Sequence, residues 1–203
     1  MKFYKLSYDM DSIDKLSIEG KSFIYAEETN LREIECEGVK KGFFHNIIFN
    51  KWAHIDWPEV TFYYSSIVSN RESDYLMNVN RWPVVHERVK IVLKKENIEG
   101  IKFYKINLCD VITGQVNANY SVMYIENFID AFDLAKSKYK YNEKYDMYTF
   151  MPKQTFLNLE NCKGYDIFRC SKSVAGIYVS DKFYKIIKDY GFTCFHFEEQ
   201  LLN

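Results

Sequence analysis

The sequence predicts an α+β protein, mostly antiparallel strands, with a repeated helix–turn–strand unit at about 84–104 and 178–198. Three observations predict this. The 203-residue chain is rich in aromatics, with 17 Tyr and 16 Phe, residues that favour a pleated, half-buried surface. One segment matches another without a gap: Val85-His86-Glu87-Arg88-Val89-Lys90-Ile91-Val92-Leu93-Lys94 lies against Val179-Ser180-Asp181-Lys182-Phe183-Tyr184-Lys185-Ile186-Ile187-Lys188. Helix, strand and turn signals also intermix without the regular β-α-β-α rhythm of a doubly wound sheet.

Taken in order, Phe3 to Tyr8 and Ser22 to Tyr25 have strand composition, and Val60 to Val68 is a β-branched and aromatic run. Between them, Trp52, Trp57 and the Trp57-Pro58 step suggest a packed irregular stretch. Each copy of the repeat has an apolar lead-in, a cap, a helix of about three turns, a turn and an alternating strand. Ser180 is a good N-cap and His86 a poorer one, each followed by an acid where the helix dipole favours it. Asn97 and Gly191 stand just past the helices, where a left-handed residue ends them. The spacing buries Val89, Val92 and Leu93 in one copy and Phe183, Ile186 and Ile187 in the other.

Between and beyond the copies, strands are expected at Ile101–Leu108, Tyr120–Ile125, Met147–Phe150, Phe156–Leu159, Ile167–Cys170 and Phe195–Phe197. A turn falls at Thr113-Gly114, and Phe128 to Phe132 extends a strand or starts a short helix. One unit over 1–203 is expected; the alternative is a strand- and loop-rich part over 1–73 beside a second part over 74–203.

Charge and cysteine use narrow the function. Lys+Arg is 27 and Asp+Glu is 28, a net charge of -1, so the basic excess of nucleic-acid or anionic-membrane binders is missing and neither partner is expected. The run Lys136, Lys138, Lys140 and Lys144, interleaved with Tyr139, Tyr141 and Tyr145, has the composition of a single-strand stacking surface; a solvated loop or helix end explains it as well. The five cysteines are odd in number and contain no C-x-x-C pair. With no apolar N-terminal stretch of signal-peptide length, the expected setting is reduced and cytoplasmic.

The motifs of catalysis are missing. None of His45, His54, His86 and His196 stands at ligand spacing, and no phosphate-cradling glycine loop or G-x-S-x-G elbow occurs. No catalytic residue, metal or cofactor is therefore expected. His54, Asp56 and Arg169 are the set to inspect for a dispersed enzymatic site, and Arg169 with Asp133 for a structural ion pair. Cys194 and His196 share one face of a strand, which by itself makes no nucleophile–base pair. In Glu33-Ile34-Glu35-Cys36-Glu37, acids alternate with apolar residues as on an exposed strand. Glu33, Glu35 and Glu37 form either a solvated face or an acidic patch for a basic partner, and with Trp52 and Trp57 they are the candidate partner-binding residues.

From Ser73 onward the order of features resembles a family of bacterial immunity proteins from polymorphic toxin systems, family eleven, first catalogued as a domain of unknown function. The resembling segments include Ser73-Asp74-Tyr75-Leu76, Pro83-Val84-Val85-His86-Glu87-Arg88, Gly100-Ile101-Lys102-Phe103-Tyr104, Tyr120-Ser121-Val122-Met123 and Ile129-Asp130-Ala131-Phe132-Asp133 with Ser137. Ile167-Phe168-Arg169 and Ile177-Tyr178-Val179-Ser180 close the match, which covers about the last two-thirds of the chain. His86 departs from the pattern, which expects Ser there. The resemblance implies stoichiometric binding of a cognate protein toxin, with no cofactor and no catalytic residue. An enzyme and a self-associating regulatory module are the alternatives.

Overall fold

The computed structural model describes residues 1–11, 22–37, 39–40, 42, 44–49, 56–151 and 153–203, the side chains of Tyr145 and Met147 apart. The first strands are β1 (Phe3–Tyr8), β2 (Tyr25–Ala26), β3 (Glu28–Thr29), β4 (Thr61–Tyr64), β5 (Tyr75–Asn78), β6 (Val84–His86), β7 (Ile101–Asp110) and β8 (Val116–Ile125). They are followed by β9 (Phe128–Ile129), β10 (Tyr139–Asn142), β11 (Met147–Phe150), β12 (Phe156–Leu157), β13 (Ile167–Cys170), β14 (Ser173–Ser180), β15 (Phe195–Glu199) and β16 (Leu201–Leu202). The helices are α1 (Glu87–Lys95), α2 (Leu159–Cys162) and α3 (Asp181–Asp189), with 3-10 turns at Phe44–Phe49 and Glu143–Tyr145.

Among the described residues the strands form a seven-stranded sheet, β2-β5-β6-β8-β7-β4-β3, and a five-stranded sheet, β15-β1-β14-β13-β9, with two smaller pairs, β10-β11 and β12-β16. Most neighbours are antiparallel, as expected of α+β; the parallel pairs include β4 with β7 and β2 with β5. The predicted ends of β1, β11 and β13 agree with the structure. The run Val60 to Val68 is shorter than expected: β4 stops at Tyr64 because the chain turns at Ser65, whose carbonyl accepts from Val68 N at 3.1 Å and Ser69 N at 3.0 Å.

The repeat is larger in space than along the sequence. Asp74 precedes β5 and Asp166 precedes β13, and each backbone carbonyl accepts from the helix cap, His86 N at 3.0 Å and Ser180 N at 2.9 Å. Tyr75 lies opposite Val85 as Ile167 lies opposite Val179. In the first copy β8 comes next, between β6 and β7. In the second copy that place is filled by β1, from the other end of the chain. The registers agree residue for residue: Tyr120 faces His86 as Phe3 faces Ser180, and Met123 faces Phe103 as Leu6 faces Phe197. The order β5-β6-β8-β7 thus recurs as β13-β14-β1-β15.

The two helices pack into one shared core. Val89, Val92 and Leu93 of α1 and Phe183, Ile186 and Ile187 of α3 are buried together with Leu6, Val85, Met123 and Val179. Each such side chain contributes roughly 1.5–3 kcal/mol on removal from water. Ser180 Oγ accepts from Phe183 N at 3.3 Å, and His86 caps α1 through Nδ1, which accepts from Arg88 N at 3.3 Å. Asn97 and Gly191 adopt φ of 53° and 63°, the left-handed stop expected of both. A second core lies against the other face of the seven-stranded sheet, around the fully buried Trp82, Phe44 and Phe62.

Three expectations are corrected at the local level, the first being the strand expected over Phe156–Leu159, which stops at Leu157 because Asn158 caps the short helix α2. Glu33 to Glu37 is no strand but a turn closed by an isolated bridge between Cys36 and Val39. Its alternation comes from Ile34 reaching into the second core while the acids stay exposed. The solvated loop expected over Lys136 to Tyr145 holds for Lys136 to Lys138, but Tyr139 to Asn142 is a strand paired with β11, after which the chain folds back through a 3-10 turn.

Candidate binding groove

Past the pair Leu6–Ile177 the ladder between β1 and β14 ends, although β14 continues back to Ser173 and β1 on to Tyr8. The divergence opens a groove of about 820 Å³. One wall is aromatic. Tyr148 and Phe150 of the β10-β11 hairpin line it with Phe132 and Tyr178, and the rings of Phe132 and Phe150 are 4.0 Å apart. Register places Tyr139 opposite Phe150 and Tyr141 opposite Tyr148, so the four rings share one hairpin face. Tyr139 and Tyr141 are exposed beside the groove.

Tyr8 and Tyr75, stacked at 4.5 Å, belong to the inner wall. The Tyr8 hydroxyl donates to the Trp82 carbonyl at 2.5 Å and accepts from Asn78 Nδ2 at 3.1 Å. Burial raises the phenol of Tyr8 well above its usual range, and that of Tyr75 as well.

Arg169 lies in this wall, only 1% exposed. Strand β13 holds it with Ile167 on the face turned to the shared core. Its Nη1 donates to the Val174 carbonyl at 2.5 Å and weakly to Ala175 at 3.4 Å, and its guanidinium carbon is 5.2 Å from the Phe49 ring centre. Nε is buried and has no hydrogen-bond partner among the described residues. No carboxylate among the described residues forms an ion pair with Arg169. Burial pulls its pKa down to about 10, against the opposing influence of Tyr75, Tyr124 and Tyr8; the side chain is still a cation at neutral pH.

The expected Arg169–Asp133 pair is therefore absent. Asp133 instead caps its own turn, accepting from Ala135 N at 2.9 Å and Lys136 N at 3.1 Å, and from Asn203 Nδ2. A carboxylate just before a turn satisfies nearby amides more readily than a distant side chain.

The sequence matches the family model of the immunity protein family Imm11 over residues 2–201. The chain belongs to the Imm11 immunity protein family. The match reaches nearly to the N-terminus, well beyond the last two-thirds suggested by the motifs, and so takes in β1 of the groove. No curated protein matches the chain.

The described partner-binding candidates of this Imm11 protein do not line the groove. Glu33, Glu35 and Glu37 are exposed. Trp57 is half-buried: its Nε1 donates to the Lys105 carbonyl at 2.9 Å, and its ring stacks on Tyr104 at 4.4 Å. Trp52 and His54 fall outside the described residues, and Asp56 is exposed. Ser180 is occupied as a cap and donates to Asp166 Oδ1 at 2.7 Å. The Cys194 thiol is pushed up to about 12 by burial, far from a reactive thiolate. No group of three or more His, Cys, Asp or Glu is arranged for a metal among the described residues. No described helix is long and apolar enough to cross a membrane.

The groove was not visible in the sequence. Tyr148, Phe150 and Arg169 are far apart along the chain, and the signal available was Arg169 as an isolated charge between apolar neighbours.

Proposed function

We propose that this protein protects a toxin-producing cell and its kin by binding a cognate protein toxin directly and stoichiometrically, as part of a polymorphic toxin system. The observation that carries this reading is the family match over residues 2–201. It acts in the cytoplasm, without catalysis and without a cofactor, and neither nucleic acid nor membrane is its partner. The groove beside the aromatic hairpin supports a binding role, since rings that are already ordered provide contact area at low entropic cost. A toxin complex of ordinary size would bury on the order of 1,600 Å² in total, more than the groove alone supplies. Glu33, Glu35 and Glu37, with Trp52 and Trp57, are the further residues we assign to the interface.

Co-expression with the toxin domain encoded next to this gene tests the reading. Restored growth together with co-purification of a one-to-one complex is the expected result. Continued killing in the presence of soluble, folded protein would rule out direct neutralisation of that toxin.

A further inference from the structure

We propose that the groove is a carboxylate-receiving site in which Arg169 takes an acidic group carried on an apolar segment of the partner polypeptide. The inference deepens the direct-binding reading and rests on it for the identity of the partner. Arg169 is a guanidinium with a planar fork of donors, yet its Nε is left without an acceptor among the described residues. A buried cation is costly when uncompensated, and a charge-assisted hydrogen bond to it is among the stronger polar contacts available. Although only 1% exposed, Arg169 forms part of the groove lining, so the groove leads to this group.

The surroundings select the rest of the ligand. Lys5, Arg81 and Lys153 line the groove with Arg169, against the acids Glu198 and Glu199, and Glu199 is already paired with Lys2 at 2.9 Å. The remaining charge favours an anion. The aromatic wall of Phe132, Tyr148, Phe150 and Tyr178 suits apolar side chains flanking it. Gly176 lies beneath the Tyr178 ring, which a Cβ at that position would meet at 2.9 Å; this close approach keeps the ring folded over the floor. Phosphate would satisfy the charge but leave the aromatic wall unused. An aspartate or glutamate side chain and a chain-terminal carboxylate present the same chemistry, and the test separates them.

The full-length protein is titrated with three short peptides of matched apolar residues: one blocked with a central aspartate, its asparagine counterpart, and one ending in a free carboxylate. The Arg169 Nε–H resonance and the affinity are followed by NMR. The expected result is that the aspartate peptide shifts this resonance and binds about tenfold or more tightly than the asparagine peptide. A stronger response to the third peptide would assign the site to a chain terminus. Arg169→Gln should abolish the difference between the aspartate and asparagine peptides. Lys5→Gln, an exposed change on β1 that keeps the fold, should weaken only the carboxylate peptides, by about threefold. Equal binding of aspartate and asparagine peptides, or an unmoved Arg169 resonance with all three, overturns the proposal. Growth rescue by the wild-type protein alongside that negative result would leave direct toxin binding standing and remove only the carboxylate site. Failure of rescue with a positive titration would do the reverse.

Discussion

Asp74 is 1% exposed and holds together parts of both copies of the repeat. Its carboxylate accepts from the Arg88 guanidinium of α1, and from Thr193 N at 2.7 Å and Thr193 Oγ1 at 2.8 Å just beyond α3. Asp74→Ala should cost about 3–5 kcal/mol, read as a lowered urea midpoint with an unchanged slope, because it strands buried donors. Asp166 in the second copy receives only Ser180 Oγ and Lys182 Nζ, so Asp166→Ala should cost less. Asp110 makes the pH-dependent contribution. Burial opposes its charge, but hydrogen bonds from Thr113, Ser66 and Ile112 outweigh that and hold the carboxyl well below the usual carboxylate range. The folded pKa is the lower one, so the stabilisation is complete above the ordinary carboxylate value and is lost as pH falls below it toward the folded value. Asp110→Asn should flatten the acid limb of the stability–pH profile; an identical limb in the variant would rule this out. Neither carboxylate role was legible beforehand, because the donors to Asp74 and one of those to Asp110, Ser66, come from distant segments.

At the scale of elements, the two repeat helices, α1 and α3, were the most legible part of the chain. Spacing at helical period and the flanking caps are local properties, and all six residues expected to be buried are buried. Ile186→Asp should abolish the cooperative melt by placing an unpaired charge in the shared core. His86→Ser replaces an imidazole cap with a stronger hydroxyl cap and should stabilise α1 by at most about 1 kcal/mol in thermal unfolding. Its contact with Tyr120, at 5.2 Å between ring centres, would be lost, which limits the gain. The hairpin β10-β11 was half legible: β11 shows a β-favouring run, whereas β10, set among lysines, read as a solvated segment. A strand exposed on both faces, as β10 is, carries no burial period, so its partner decides its conformation.

At the scale of the whole molecule, the second copy is completed by β1 and the first by β8. We propose that residues 1–203 form one cooperative unit. The pairings of β1 with β14 and β15, of β2 with β5 and of β4 with β7 all cross the boundary at residue 73. A fragment spanning 74–203 should show no cooperative urea transition, since it leaves β14 and β15 without the strand between them. Supplying residues 1–11 through a linker after Asn203 should restore one, at lower stability. A fragment that folds without that strand would disprove the interdependence.

By itself the sequence determined the fold class, both helices with their buried faces and stops, the cores of the main strands, and membership of an immunity family. These are set by side-chain period, backbone preference and order along the chain, all of which act over a few residues. The tertiary structure alone decided that β1 fills the second copy, that Glu33 to Glu37 is a turn, and that Arg169 lines a groove with no counter-charge among the described residues. Each of these depends on which distant segment comes to lie within a few ångströms. Burial, hydrogen bonding and the field around a charge act through that distance, and a linear order of residues does not contain it.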